Sequence, residues 1–321
     1  MNKLFLGIEI GATKNQIAIG DNKGNILYSV VEKVIVEEGA PGILNWLKKI
    51  IPVMILKEKE FGGKVSAIGV GFGGIIESST GKILISVQVK GWQDFMLKDW
   101  FEEHFKLPTT IINDTVTGGY AEYLCGTGMG SRQFFYTNIG SGIGGAFFLN
   151  GEYYDGLGYG AAYLGHTYVP DWTSNTPGSE IKVENICSGW AIERRLRTKG
   201  YVSDNSYIIE LCRGNRAEIS CPMLADAAKR GDEFALSEID RVAKSFGTGL
   251  ANVLTLISPD CISIGGGVGK MGEILLTPIR KYVDERAFIS TKGRYKIVEC
   301  KFSDAAVLVG SVLFASKLIN N

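Results

Sequence analysis

Three short turns that contain glycine are the places where this backbone could closely approach a charged ligand. They lie at residues 11–14, 140–145 and 265–269. Glycine has no side chain to keep a ligand at a distance, so a turn built from it can bring backbone N–H groups to phosphate oxygens. Together the three segments indicate a nucleotide whose phosphates are held from several sides.

Two well-known phosphate motifs are excluded by their context. The segment GSGIGG at 140–145 has the G-x-G-x-x-G spacing of a dinucleotide site, but that motif must open a helix, and the strand-like AFFLN follows here. The segment GGGVGKM at 265–271 has the wrong spacing for a P-loop and places Met271 where Ser or Thr would bind magnesium. The glycine segments therefore belong to neither of these two motifs.

The first two glycine segments lie in hairpins that resemble each other. Residues 3–10 predict a strand, 11–14 a turn, 15–20 a second strand and 22–25 a hairpin turn before ILYSVV. Residues 134–154 repeat this order, with a turn at Asn150-Gly151, and Gly140 follows Gly11 by 129 residues. An internal duplication explains this similarity. The alternative is a chance likeness of two glycine-rich hairpins.

The remaining pattern mixes strands and helices. Residues 65–71 and 108–112 predict short strands, the second ending at Asn113-Asp114 before a helical stretch, and after Ile186 the chain becomes mostly helical. The later predicted elements are helices from 221 to Gly231 and 232–257, a strand 261–264, a turn 265–269, a helix 272–288, a strand 296–301 and a helix 305–319. The predicted fold class is α/β.

Composition favours a globular protein with a small-molecule ligand. The chain has 321 residues, which favours two domains over one, with 45% hydrophobic and 21% charged residues. Its 34 Lys and Arg balance 34 Asp and Glu, so no net field attracts nucleic acid or an anionic membrane. We expect a cytoplasmic protein, because neither a secretory leader nor a membrane-spanning run is apparent. The six cysteines form no CxxC pair, which is typical of buried free thiols.

The motifs in order resemble the ROK sugar kinases and glucokinase-like proteins of the actin and hexokinase superfamily. The matching segments are GIEIGATK, VGFGGIIE, IIND, IGSGIGGAFFLNGEYYDG, LGHTYV, VENICSG, AAKRGDEFA, SIGGGV and DAAVLVGS. The resemblance implies a two-lobed actin-like, ribonuclease H-like ATPase fold with a cleft, a small lobe of residues 1–115 plus 302–321, and a larger lobe of 116–301. It implies ATP and Mg²⁺ as cofactors, a sugar or polyol as substrate, and a homodimer.

The resemblance also implies a set of site residues. Asp114 would be the general base, with an ordinary helix N-cap as the alternative, and Asn113 would bind a sugar hydroxyl unless it only forms an Asx turn. The implied cofactor-binding residues are Glu9, which would contact Mg²⁺ through water, and Gly11, Thr13, Lys14, Gly140, Ser141, Gly142, Gly144, Gly265, Gly266 and Gly267. The implied substrate-binding residues are Gly74, Asn113, Asp114, Tyr163, His166 and Glu184.

Several positions depart from the family pattern. Glu9 replaces an Asp, Tyr163 replaces the first sugar-binding Glu, Val116 replaces an Asn and Gly73 replaces a Pro. The three cysteines that join the family's histidine on a zinc ion are missing after His166, so no zinc site is expected. We therefore expect a sugar kinase with an altered pocket, and the alternative is a sugar-binding regulatory protein of the same family without kinase activity.

Overall fold

The computed structural model describes residues 2–86 and 89–320. The chain forms two compact units. The first unit comprises Met1–Gly130, Ala146–Ala161 and Lys301–Asn321, and the second comprises Ser131–Gly145 and Ala162–Cys300. The predicted lobe boundary after residue 115 falls inside the helix Asp114–Cys125, which belongs to the first unit. The lobe boundaries of the family therefore stay a prediction for this chain.

The described part of the first 125 residues contains eight strands and three α-helices. In chain order they are β1 (Asn2–Ile10), β2 (Lys14–Gly20), β3 (Ile26–Lys33), α1 (Gly39–Leu56), β4 (Gly63–Phe72), β5 (Ile75–Glu77), β6 (Lys82–Ile85), β7 (Phe95–Met96), α2 (Leu97–Phe105), β8 (Thr109–Asn113) and α3 (Asp114–Cys125). The strands β5, β6 and β7 form a small sheet of their own.

The later part of the chain is richer in helices. In chain order its elements are β9 (Gln133–Ile139), β10 (Ile143–Leu149), β11 (Glu152–Tyr153), β12 (Tyr168–Pro170), β13 (Glu180–Lys182), α4 (Val183–Cys187), α5 (Gly189–Arg197), α6 (Tyr207–Leu211), α7 (Cys221–Lys229), α8 (Glu233–Ile257), β14 (Cys261–Gly265), α9 (Gly266–Gly269), α10 (Glu273–Arg286), β15 (Lys296–Glu299) and α11 (Ala306–Asn320). The predicted turn at 265–269 is wrong, because a short helix α9 begins at Gly266. The predicted strand 296–301 ends earlier, at Glu299.

Two five-stranded sheets share one strand order. The first has the order β3-β2-β1-β4-β8, and the second has the order β11-β10-β9-β14-β15. In the first sheet, β1 pairs antiparallel with β2 and parallel with β4, which in turn pairs parallel with β8. In the second, β14 pairs parallel with both β9 and β15, and β10 pairs antiparallel with β11. Matching topology on a matching hairpin supports the predicted duplication.

Strand β1 is buried on both faces, and its residues divide between two clusters. Leu4, Leu6 and Ile8 belong to the large core cluster that also holds one side of α1. Phe5 belongs instead to a small cluster with Val312 of α11. Successive strand residues point to opposite faces, so the continuous apolar run of β1 serves two helices at once.

Helix α11 lies very close to the first sheet. A Cβ atom built at Gly69 would lie 2.0 Å from the carbonyl oxygen of Ser311, so only glycine permits this approach of helix to strand. In residues 2–86 and 89–320, one segment, 303–320, is long and apolar enough to cross a membrane by length and composition alone. Of this segment, 56% is buried inside the structure. Its apolarity is that of a helix packed in a protein core.

Candidate active site

The carboxyl ends of three parallel strands bring the polar residues of the first unit to one edge of its sheet. In register, Glu9 of β1 pairs with Gly71 of β4, and Gly71 pairs with Ile112 of β8. The segments that follow these strands therefore emerge side by side, including Gly74 and Asp114. The edge at which parallel strands end is where open α/β sheets usually bind ligands.

Asn113 caps helix α3 and holds the loop after β4. Its Oδ1 accepts hydrogen bonds from the N–H groups of Thr115 at 3.0 Å and Val116 at 3.2 Å. Its Nδ2 donates to the carbonyl oxygen of Gly74 at 3.1 Å. The N-cap role that was the alternative for Asp114 thus belongs to Asn113. The Asx turn that was the alternative for Asn113 is present, and its predicted contact with a sugar stays a prediction.

Asp114 is the first residue of α3. One of its carboxylate oxygens accepts a hydrogen bond from the Thr115 N–H at 2.7 Å. Burial raises the pKa of this carboxyl above its ordinary value, and the hydrogen bonds from Thr115 only partly oppose the effect. A carboxylate with a raised pKa is a better proton acceptor near neutral pH than an exposed one.

Glu9 lies in a group of charged side chains. Its Oε2 accepts a hydrogen bond of 2.6 Å from Nε2 of Gln16, which faces it across the hairpin. Burial is the main cause that raises the pKa of Glu9, the charge of Lys14 lowers it, and the negative charges of Asp114 and Asp304 raise it further. We call Glu9, Asp114 and Asp304 the acidic cluster.

The carboxylate of Glu9 is of the kind that binds Mg²⁺ together with other ligands. Carboxylate oxygens are what Mg²⁺ prefers, and it usually takes one or two of them together with water and substrate phosphates. In the described part of the chain, no group of three or more His, Cys, Asp and Glu side chains is placed to hold a metal ion by itself. The predicted absence of a zinc site stays a prediction.

The first glycine turn, residues 11–13, joins β1 to β2. The Gly11 N–H donates to the carbonyl oxygen of Lys14 at 3.2 Å, and the Thr13 carbonyl accepts from Val34 N–H at 3.0 Å. The Thr13 residue is exposed and Lys14 is half-buried. The predicted nucleotide contacts of Gly11, Thr13 and Lys14 stay predictions.

The second glycine turn, residues 140–142, joins β9 to β10. Several backbone groups in and around it are hydrogen-bonded within the protein. The Gly140 N–H donates to the Gly142 carbonyl at 2.9 Å. The Ile143 N–H donates to Glu184 Oε2 at 2.8 Å, and the Gly144 N–H donates to Asn138 Oδ1 at 2.9 Å. The Gly140 carbonyl accepts from the Gly189 N–H at 2.8 Å. Within this turn, the N–H groups of Ser141 and Gly142 are therefore the candidates for phosphate oxygens.

The third glycine segment lies directly beside the second turn. Gly265 pairs with Asn138 in the register of β14 and β9. Gly266 has a φ of +84°, and a Cβ atom there would lie 2.5 Å from the Ile139 carbonyl oxygen. A Cβ atom at Gly267 would meet nothing within 4 Å. Gly267 therefore offers the open position at which a ligand could approach.

Three predicted sugar-site residues gather around the start of β10. The rings of Tyr163 and His166 are edge-on, with centroids 6.2 Å apart. The imidazole Nδ1 of His166 lies 3.4 Å from Nζ of Lys182. Glu184 reaches the same strand through its bond to Ile143 N–H. The structure thus brings Glu184 to the strand that follows the second glycine turn. The segment with Tyr163 and His166 also approaches this strand, because a Cβ atom at Gly165 would lie 2.2 Å from the Ile143 carbonyl oxygen.

Sequence reasoning missed Gln16, Asn138 and Asp304. The hairpin register could have revealed Gln16, because it lies directly opposite Glu9. The 129-residue offset could have revealed Asn138, which corresponds to Glu9 in the second hairpin. Asp304 had no local signal, since only the return of the chain to the first unit places its charge near Glu9.

A comparison with known protein families matches residues 5–317 to the ROK family. This chain belongs to the ROK family. The predicted resemblance is confirmed.

Similar proteins include kinases and repressors of sugar metabolism. A glucokinase of Halalkalibacterium halodurans is 28% identical, over 97% of this chain and 95% of that protein. A xylose repressor of Caldicellulosiruptor bescii is 26% identical, over 96% of this chain and 77% of that protein. A crystal structure of a ROK family glucokinase from Streptomyces griseus, in complex with glucose and AMPPNP, is 26% identical with a TM-score of 0.81, over 98% of this chain and 99% of that one. This likeness confirms the predicted α/β fold class of the actin-like type.

Proposed function

We propose that this ROK protein transfers the γ-phosphoryl group of ATP to a hydroxyl of a sugar or related polyol, with Asp114 as general base. The predicted enzyme class, an ATP-dependent carbohydrate kinase, is confirmed by glucokinase relatives that span nearly the whole chain. The observation that carries the catalytic proposal is the buried carboxyl of Asp114, placed at the first residue of α3 next to the cap Asn113.

Asp114 accepts the proton of the attacking hydroxyl. Phosphoryl transfer requires mainly positioning and charge stabilisation, so a single well-placed base is sufficient protein chemistry on the acceptor side. Because Asn113 performs the capping, the Asp114 carboxylate is not needed to begin the helix. Asn113 in turn fixes the Gly74 loop, which is the predicted sugar-contacting segment.

Glu9 would hold Mg²⁺ through water, and the charge of Lys14 lowers the pKa of Glu9. The ion, when bound with ATP, neutralises charge on the β- and γ-phosphates. Glu9 is one bond longer than the Asp usual in the family, and its hydrogen bond from Gln16 fixes the position of the carboxylate. Gln16 is therefore a positioning residue for Glu9.

The Ser141 and Gly142 N–H groups bind phosphate oxygens, and the segment 265–267 receives the adenosine side. Support comes from the turn itself, in which Asn138 and Glu184 satisfy the neighbouring donors and hold the backbone in one conformation. A rigid set of N–H groups loses no orientational entropy when an anion binds.

The substrate pocket is proposed to disfavour glucose. An ionised glutamate can accept hydrogen bonds from two adjacent sugar hydroxyls, whereas the phenol of Tyr163 offers one donor and limited acceptance. A hydroxyl left without a partner in a closed site costs about 1–3 kcal/mol. The Tyr163 ring, edge-on to His166, suits an apolar sugar face, an N-acyl group or a deoxy carbon.

A coupled ADP-release assay with hexoses, amino sugars, N-acyl sugars and cyclic polyols tests this function. We expect ATP turnover with a modified hexose or a cyclic polyol, and a glucose kcat/KM lower by about one to two powers of ten. The variant Tyr163→Glu should raise the glucose kcat/KM by a similar factor. If glucose is the best substrate of the wild-type chain, the role given to Tyr163 is wrong.

A sugar-binding protein without kinase activity is the second candidate, because a xylose repressor is similar to nearly the whole chain. The same panel separates the two functions. Sugar binding in calorimetry without ADP release in the coupled assay would favour the regulatory role and reject the kinase.

A further inference from the structure

A concave cavity in the second unit lies outside the predicted ATP and sugar residues. Its volume is about 720 Å³. The segment 170–179 forms one wall, and the middle of α8 with the last residue of α10 forms the other. Small-molecule sites typically occupy about 300–1,000 Å³. The size of this loop cavity therefore suits a metabolite rather than a single ion.

The charge of the loop cavity is mainly positive. Arg241 and Lys244 line it from one side of α8, and Arg286 lines it from α10. Throughout residues 2–86 and 89–320, no carboxylate forms an ion pair with Arg241 or Lys244, whereas Arg286 pairs with its neighbour Glu285. Two cations thus face the cavity without a protein counter-ion.

Asp171 supplies the carboxylate among the residues described as lining the cavity, and this carboxylate is hydrogen-bonded within its own loop. One oxygen of Asp171 accepts hydrogen bonds from the Thr173 N–H at 2.9 Å and the Thr173 hydroxyl at 2.6 Å. These bonds fix the start of the segment that forms the cavity wall. Asp171 therefore leaves a net excess of positive charge in the lining.

Hydroxyl groups add hydrogen-bond donors to these cations. The Oγ of Ser179 is buried and has no hydrogen-bond partner in the described chain. The Oγ of Ser245 accepts a hydrogen bond of 2.9 Å from the indole of Trp172, so its own hydrogen can be donated. A set of cations and hydroxyl donors recognises a ligand that carries several acceptor oxygens.

Trp172 makes the cavity wall rigid. Its ring lies near the guanidinium groups of Arg195, at 5.0 Å, and Arg241, at 5.5 Å. Arg195 is itself held by Glu238, at 2.8 Å, and by the Ile186 carbonyl, at 2.7 Å. The wall is therefore tied to buried structure, and binding a ligand there requires little ordering.

We propose that the loop cavity binds a small molecule bearing a phosphate group, with Arg241 and Lys244 as its principal ligands. Phosphate has the charge and the acceptor oxygens that match two unpaired cations and neighbouring hydroxyls. Free phosphate and a phosphate monoester share this chemistry. The inference does not depend on the proposed kinase reaction, because none of these residues is assigned to it.

Isothermal titration calorimetry of the full chain tests the proposal with inorganic phosphate, glucose 6-phosphate and glucose, all at saturating AMPPNP. We expect phosphate-dependent binding that the double variant Arg241→Gln/Lys244→Gln weakens at least about tenfold. Lys281→Gln, an exposed cation of α10 outside the cavity, is the matched control and should bind as the wild type does. Comparable affinities for both phosphates identify free phosphate as sufficient, and preference for the ester identifies a larger metabolite.

Two results would overturn the proposal. One is equal affinity in the wild type and the double variant, which would place the bound phosphate elsewhere. The other is no heat of binding with either phosphate at concentrations up to about 10 mM. If the double variant does not fold, the single variant Lys244→Gln of an exposed side chain replaces it, with the same expected direction.

Discussion

The two glycine turns have the same backbone plan and opposite side-chain chemistry. Each has three residues between two antiparallel strands at equivalent places in sheets of equal strand order. In the strand before the first turn, residue 9 is a glutamate that belongs to the acidic cluster. In the second, the equivalent position is the neutral amide Asn138, which accepts the Gly144 N–H.

The difference shows how one scaffold can serve two kinds of charge. The first sheet places Glu9 and Asp114 at one edge, and burial raises the pKa of both carboxyls, so this edge is suited to a proton and a cation. The second turn has no carboxylate at the equivalent strand end, and its Glu184 is bonded to backbone N–H. The backbone N–H groups of Ser141 and Gly142 there can donate hydrogen bonds to an anion.

The largest effect is expected for Asp114, the proposed proton acceptor at the edge of the first sheet. Asp114→Asn retains size and hydrogen bonding but removes basicity, so kcat should fall by about 10²–10⁴-fold while the KM for ATP barely changes. Steady-state kinetics measure both constants, and Asp99→Asn on the exposed side of α2 is the control. A near-normal kcat for Asp114→Asn would remove the base from the proposal.

The second prediction concerns a variant that places a carboxylate before the second turn, at the position equivalent to Glu9. Asn138→Asp can still accept the Gly144 N–H, but its carboxylate would repel the phosphates of ATP. We expect the KM for ATP to rise by about tenfold or more, the equivalent of roughly 1.4 kcal/mol. The effect should weaken as salt concentration increases, because screening reduces the repulsion. An unchanged KM would mean that phosphates do not lie on this turn.

The third prediction concerns the side chain that closes the second turn. A Cβ atom at Gly142 would lie 2.7 Å from Glu184 Oε2, so Gly142→Ala must displace the carboxylate from Ile143 N–H. The free energy of unfolding should fall by about 1–3 kcal/mol in urea denaturation. At Gly140 the nearest atom to a new Cβ is the Gly142 carbonyl oxygen at 3.8 Å, so Gly140→Ala is the matched control. Equal losses in both variants would contradict the role of Glu184.

The smallest expected effect is a displacement of the pH profile. Because burial raises the pKa of Asp114, kcat should decline on the acidic side at a higher pH than an ordinary aspartate would give. Glu9→Gln removes a neighbouring negative charge, and the repulsion between two carboxylates acts on both. The acidic limb should therefore move to lower pH in Glu9→Gln. An acidic limb that stays at its wild-type pH in Glu9→Gln would show that the two carboxylates do not interact.

The sequence was most informative where local chemistry decides structure. The two hairpin glycine turns, the likeness of the two hairpins and the strand that ends before Asp114 were predicted, because turn residues and apolar runs act over a few neighbours. One prediction that failed also had a local cause. The segment 265–269 reads as a turn because of its glycines, yet Gly266–Gly269 closes into a short helix against the end of β9.

What the sequence by itself determined is the repeated strand-turn-strand unit and the residue types that line its turns. Only the tertiary structure decided which distant groups meet. Asp304 acts on Glu9 from the far end of the chain, and Glu184 bonds to Ile143 across 41 residues. The reason is physical: strand order and helix docking follow from burying apolar faces over the whole chain, and no local pattern specifies which polar groups that burial leaves side by side.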